Sequence, residues 1–67
     1  MKKVLLIEGM SCEHCVAHVK EALEGIEGVE NVVVSLDENL ATVETEVSDE
    51  ILKEVIEEEG YDVTEIR

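Results

Sequence analysis

The sequence predicts an α+β fold: one four-stranded antiparallel sheet with two helices on one face, in the order β-α-β-β-α-β. Three observations predict it. Short β-branched stretches interleave with two stretches of helical apolar spacing, glycines and an Asp-Glu-Asn cluster fall only where elements should end, and no proline or Gly/Ser-rich linker interrupts the chain. Sixty-seven residues cannot be divided between two cores, so residues 1–67 are read as a single domain.

Lys3 to Glu8 reads as the first strand by length and β-branched content, although Val4, Leu5, Leu6 and Ile7 run together instead of alternating. From Glu13 to Glu24, Val16, Val19 and Leu23 follow helical spacing. Gly25 is expected as a left-handed residue past the end of that helix, with Ile26 folding back as the hydrophobic contact. Val32, Val34 and Leu36 alternate with Val33 and Ser35, Asp37-Glu38-Asn39 supplies turn chemistry, and Ala41, Val43 and Thr45 alternate again, which makes a hairpin. Ser48 is an N-cap candidate, Asp49 and Glu50 favour a first helical turn, and Ile51, Leu52, Val55 and Ile56 form an apolar stripe ending near Gly60. Tyr61 to Ile66 is the last strand.

Right-handed βαβ crossovers put both helices on the same face of the sheet, which is the ferredoxin-like arrangement. The opposite face is left to solvent. If Leu5 and Ile7 point inward, Val4, Leu6 and Val33 form a small exposed apolar strip, read as ordinary surface aliphatics in preference to a dimer interface.

Tyr61 is the only aromatic residue, so the core must be built from Val, Leu and Ile. Eighteen acidic against five basic residues give a net charge of −13, which argues against nucleic acid as a partner, since phosphate binding rests on Lys and Arg. A basic protein surface is the electrostatic complement, and the same charge also serves solubility. No apolar run is long enough for a membrane span or a signal-peptide core, so the chain is expected to be cytoplasmic, with its cysteines reduced.

Those cysteines, Cys12 and Cys15, are the only two, and a disulfide closing so short a loop would remove little chain entropy. Cys12 falls in the first strand-to-helix connection and Cys15 in the first helical turn, where unpaired N–H groups and the helix dipole should lower its pKa. Three chemistries suit such a pair. A thiol-disulfide oxidoreductase would use it in a larger domain, usually with proline nearby. A structural zinc site needs four ligands, and drawing His14 and His18 in with the two thiols would strain the loop, so zinc shared between two molecules is easier to build. Monovalent copper is soft, prefers thiolates and is satisfied by two sulfurs, which leaves room for an incoming thiolate to exchange.

Gly9-Met10-Ser11-Cys12-Glu13-His14-Cys15 resembles the GMxCxxC motif of the heavy-metal-associated domain, shared by bacterial copper chaperones and the metal-binding domains of copper-transporting P-type ATPases. Gly28-Val29 and Glu59-Gly60-Tyr61 resemble the family as well, and its fold is ferredoxin-like. The resemblance implies that the protein is not an enzyme and that Cys12 and Cys15 are the metal ligands. It implies Cu(I) as the ion, with Ag(I), Hg(II) or Zn(II) accepted in vitro. Met10 would then anchor the loop in the core, His14 would be a solvated ring or tune the thiolates, and His18 would be a surface residue. Tyr61 would either shield the sulfurs or pack in the core. Ser11 stands where zinc- and lead-exporting relatives carry aspartate, which favours Cu(I).

The implied function is a cytoplasmic copper chaperone that passes Cu(I) by ligand exchange to the metal-binding domain of a copper-transporting P-type ATPase. Two exposed clamps sharing one ion would give a copper-bridged homodimer. The alternatives are a detached metal-binding domain of such an ATPase and, from other classes, a thiol-disulfide oxidoreductase or a zinc-bridged dimer. A start at Met1 and a last strand with no linker after it weigh toward the free-standing chaperone. Several chaperones of this kind are basic, whereas this chain is acidic, so the usual charge complementarity would be reversed or the protein would be the acceptor.

Overall fold

The computed structural model describes residues 1–67 and contains six elements. They are β1 (Lys2–Glu8), α1 (Glu13–Glu24), β2 (Val29–Ser35), β3 (Leu40–Thr45), α2 (Asp49–Glu58) and β4 (Asp62–Ile66). The strands form one antiparallel sheet in the spatial order β2-β3-β1-β4, the βαββαβ arrangement read from the sequence. Both helices cover one face.

Between the layers, Leu5, Ile7, Ala41, Val43, Val32 and Val63 from the sheet meet Val19 and Leu23 of α1 and Leu52 and Ile56 of α2. Each large aliphatic buried in this way contributes roughly 1.5–3 kcal/mol against the entropy of ordering the chain. Lys3 lies on the inner face of β1 near its start. Its stem is covered while its ammonium donates to the Val47 carbonyl at 2.8 Å and to Asp49 at 2.6 Å, so the charge ends on partners at the entry to α2. Thr45, the one buried polar residue, donates to the Gly28 carbonyl at 2.8 Å and accepts from the Val47 N–H at 2.9 Å. Burying that hydroxyl is therefore inexpensive.

Two β-bulges explain why the strand patterns are irregular. Along β2 the pairing steps from Glu30↔Glu44 to Val33↔Thr42, which leaves one extra residue on β2, and Asn31 there has φ 51°. The extra residue returns Val32 to the core face, the face occupied by Val29, and the Asn31 amide is held by the Glu44 carboxylate. In β4 the step from Leu6↔Glu65 to Ile7↔Val63 skips Thr64, so Val63 and Ile66 both turn toward the core despite their odd spacing.

Four local expectations are corrected. Gly25 is not left-handed: its φ is −76°, its N–H still bonds the Glu21 carbonyl, and the reversal comes later, at Gly28 with φ 94°. Ser48 occupies the N-cap of α2 as expected, but its hydroxyl makes no capping bond. Ile51 is 47% exposed, because the face of α2 that meets the sheet is centred on Leu52 and Ile56. Tyr61 precedes β4 instead of starting it. On the open face of the sheet Val33 is exposed, while Val4 and Leu6 are half-buried. No helix is long and apolar enough to cross a membrane.

Candidate metal centre

The strand-to-helix connection from Gly9 to Cys12 carries the thiol pair. Gly9 has φ 104°, a conformation open to glycine and strained for other residues, and a Cβ placed there would meet the Tyr61 ring at 3.4 Å. This turn sends Met10 inward, where it is 6% exposed and joins the core at the end of the sheet. With Met10 held below, Ser11 and Cys12 stay at the surface. Cys12 is the N-cap of α1 in an extended conformation, and its carbonyl accepts from the N–H groups of Cys15 at 3.1 Å and Val16 at 3.3 Å.

Cys12 is exposed and Cys15 half-buried, and both are free thiols. Their sulfurs are 3.7 Å apart, against about 2.05 Å in a disulfide. Metal–thiolate bonds of about 2.3 Å would require roughly 4.6 Å between sulfurs in a linear arrangement. The pair is therefore about 1 Å too close for a linear grip, a gap within reach of a rotation of the exposed Cys12 side chain.

Cys15 is held well below the ordinary thiol range, at about 6 against 9.0. The Tyr61 hydroxyl is the largest cause, followed by the Ser11 backbone, and partial burial opposes them; Cys12 and the Ser11 hydroxyl, 3.9 Å away, add smaller amounts. Tyr61 and Cys15 lie outside full hydrogen-bond geometry in the structure, so the influence is that of a nearby hydroxyl and not of a formed bond. The reciprocal effect raises Tyr61 to about 12, chiefly through Cys15, which keeps the phenol protonated. The sequence anticipated the direction for Cys15 but assigned it to the helix start; the largest contributor lies across the fold. Gly60, with φ 97°, turns the chain between α2 and β4 so that Tyr61, 9% exposed, is packed against Gly9 and reaches the thiols. The resemblance had offered shielding of the sulfurs or core packing for Tyr61; the ring is in fact buried and beside the thiols at once.

His14 and His18 are both exposed. No three His, Cys, Asp or Glu side chains converge on a point that could hold an ion. A closed four-ligand zinc site within one chain is therefore not formed, and the donor set at this loop is two thiols. Such a set takes a soft ion and leaves it open on the solvent side.

The heavy-metal-associated domain pattern matches residues 4–62. The copper chaperone CopZ of Staphylococcus epidermidis is 49% identical over 65 residues, 92% of this chain and 96% of that one. Among solved structures, a CopZ metallochaperone superposes with a TM-score of 0.90 at 37% identity, covering 96% of this chain and 100% of the other. A copper binding domain from HMA7, a P-type ATPase, superposes with a TM-score of 0.91 at 35% identity, covering 100% of this chain and 95% of the other.

Proposed function

The chain belongs to the heavy-metal-associated domain family, and from that premise we propose that it is a cytoplasmic copper chaperone, a single domain that carries Cu(I) between Cys12 and Cys15. The observation that carries the reading is the pair of free thiols 3.7 Å apart in the strand-to-helix connection, Cys12 exposed and Cys15 half-buried; the lowered pKa of Cys15 supports it. Its similarity to copper chaperones over most of the chain supports the same assignment.

Delivery follows from low coordination. Two thiolates leave Cu(I) accessible, so a thiolate of the acceptor adds to give a three-coordinate ion, one original sulfur then leaves, and a second acceptor thiolate adds as the remaining original sulfur departs. No electron changes hands and the ion is never free. Cys12, exposed at the helix N-cap, is the ligand an approaching partner meets first. Tyr61 and Met10 support the site without ligating: the first holds the Cys15 charge, the second fixes the loop. The acceptor is the metal-binding domain of a copper-transporting P-type ATPase, a protein class represented among the structural relatives.

The test is transfer. Cu(I)-loaded protein mixed anaerobically with an apo ATPase metal-binding domain and then separated by ion exchange should lose copper to the acceptor within minutes. Copper that stays with the donor, while free chelators of equal affinity remove it, would overturn the delivery role.

A further inference from the structure

Helix α1 carries two histidines that the thiol chemistry does not use. His14 and His18 are four residues apart on a twelve-residue helix, so their Cβ atoms are neighbours one turn apart, about 5–6 Å from each other. Val19 and Leu23 of the same helix are buried and Val16 is packed on the core, which fixes the side of α1 that meets the sheet. At 100° per residue both imidazoles project from the opposite side, and both are exposed. Neither makes a hydrogen bond or an ion pair within the chain. The next residue along this stripe is Glu21, also exposed, and no Lys or Arg lies on it.

We propose that His14 and His18 form a second metal site, a two-imidazole chelate for a borderline divalent cation such as Zn(II), Ni(II) or Cu(II), independent of the thiol pair. The spacing is the one by which two histidines on a single helix face grip zinc in H-x-x-x-H arrangements. Imidazole nitrogen suits these ions, whereas the thiolate pair selects the soft monovalent one, so the two sites sort metals by chemistry. A rigid helix pre-organises the pair, because only side-chain rotations remain to be fixed on binding. The net charge of −13 and the carboxylate of Glu21 on the following turn raise the local concentration of cations. With two protein ligands, the remaining coordination positions are open to water or to a group from another molecule. The site therefore binds exchangeably.

The decisive experiment uses the full chain with Cys12→Ser and Cys15→Ser, so that no thiol competes, and titrates it with Zn(II) by calorimetry and by NMR of the histidine rings. One ion per chain should bind, and the ring signals of both His14 and His18 should move together. Adding His18→Gln should weaken binding by at least the roughly tenfold that even an outer-shell partner of a metal ligand is worth. Circular dichroism of each variant checks that the fold is kept, which is expected for the exposed Cys12, His14 and His18 and for the near-isosteric Cys15→Ser at a half-buried position. No saturable binding, or equal binding with and without His18→Gln, overturns the proposal. His18→Gln in the otherwise native chain should leave Cu(I) affinity unchanged. That arm separates the two readings: failure of the histidine site leaves Cu(I) binding dependent on the cysteines, and failure of the thiol clamp leaves the zinc titration as predicted.

Discussion

Replacing Tyr61 with Phe keeps the ring that packs beside Gly9 and removes a single hydroxyl, the largest influence lowering the Cys15 pKa. With its pKa at about 6, Cys15 is about nine-tenths thiolate at pH 7, whereas a thiol at 9.0 would be about one part in a hundred ionised. Tyr61→Phe should therefore move the Cys15 midpoint upward from about 6 toward 9.0, further than loss of the Ser11 hydroxyl would. The assay is the pH dependence of alkylation of the apoprotein, with Cys12→Ser in both arms so that only Cys15 reacts. The sign for stability follows from the lowered pKa. The thiolate stabilises the folded state above the unfolded thiol's pKa, and that contribution fades as pH falls through about 6. For metal binding, proton competition at Cys15 begins only near pH 6 in the native chain and should begin at higher pH in the Phe variant. An unchanged alkylation midpoint in Tyr61→Phe would refute the reasoning.

Three further outcomes follow from the packing. Gly9→Ala forces a side chain into φ 104° and against the Tyr61 ring, which should cost about 1–3 kcal/mol in urea unfolding and raise the Cys15 midpoint by displacing the hydroxyl; native values for both would contradict the close approach. Leu23→Ala, at a fully buried position, should cost about 2–5 kcal/mol, a large share of the roughly 3–10 kcal/mol expected for a chain of this length, and a loss below 1 kcal/mol would mean the α1 interface is not packed as described. Ile51→Lys, in contrast, should change stability by no more than about 0.5 kcal/mol, since Ile51 is 47% exposed; a cost of core size would place its side chain between α2 and the sheet after all.

The order of elements and the location of the thiols were legible because they depend on local periodicity and on a motif contiguous in the chain. Helix α1 has the bounds expected from Val16, Val19 and Leu23. What was not legible depends on pairing across the sheet. The bulges at Asn31 and Thr64 reset which face a residue occupies, and each is defined only against its partner strand, so Val29 could not be joined to the Val32–Val34 series beforehand. Ile51 was misread because a stripe of four apolar residues is wider than the contact a short helix makes, and only the sheet decides which of them are covered. Tyr61 shows the same limit at the site. Shielding of the sulfurs or core packing was expected of it, but its influence on the Cys15 pKa arises from Gly9 and Gly60 folding two distant loops together.

Anaerobic Cu(I) titration in competition with a chromophoric chelator, run on the native chain and on the Cys12→Ser, Cys15→Ser variant, tests the central claim most directly. One ion per chain should bind tightly to the native protein, and the variant should lose the competition at every chelator concentration. Equal retention of copper by the two proteins would show that the ion is held elsewhere.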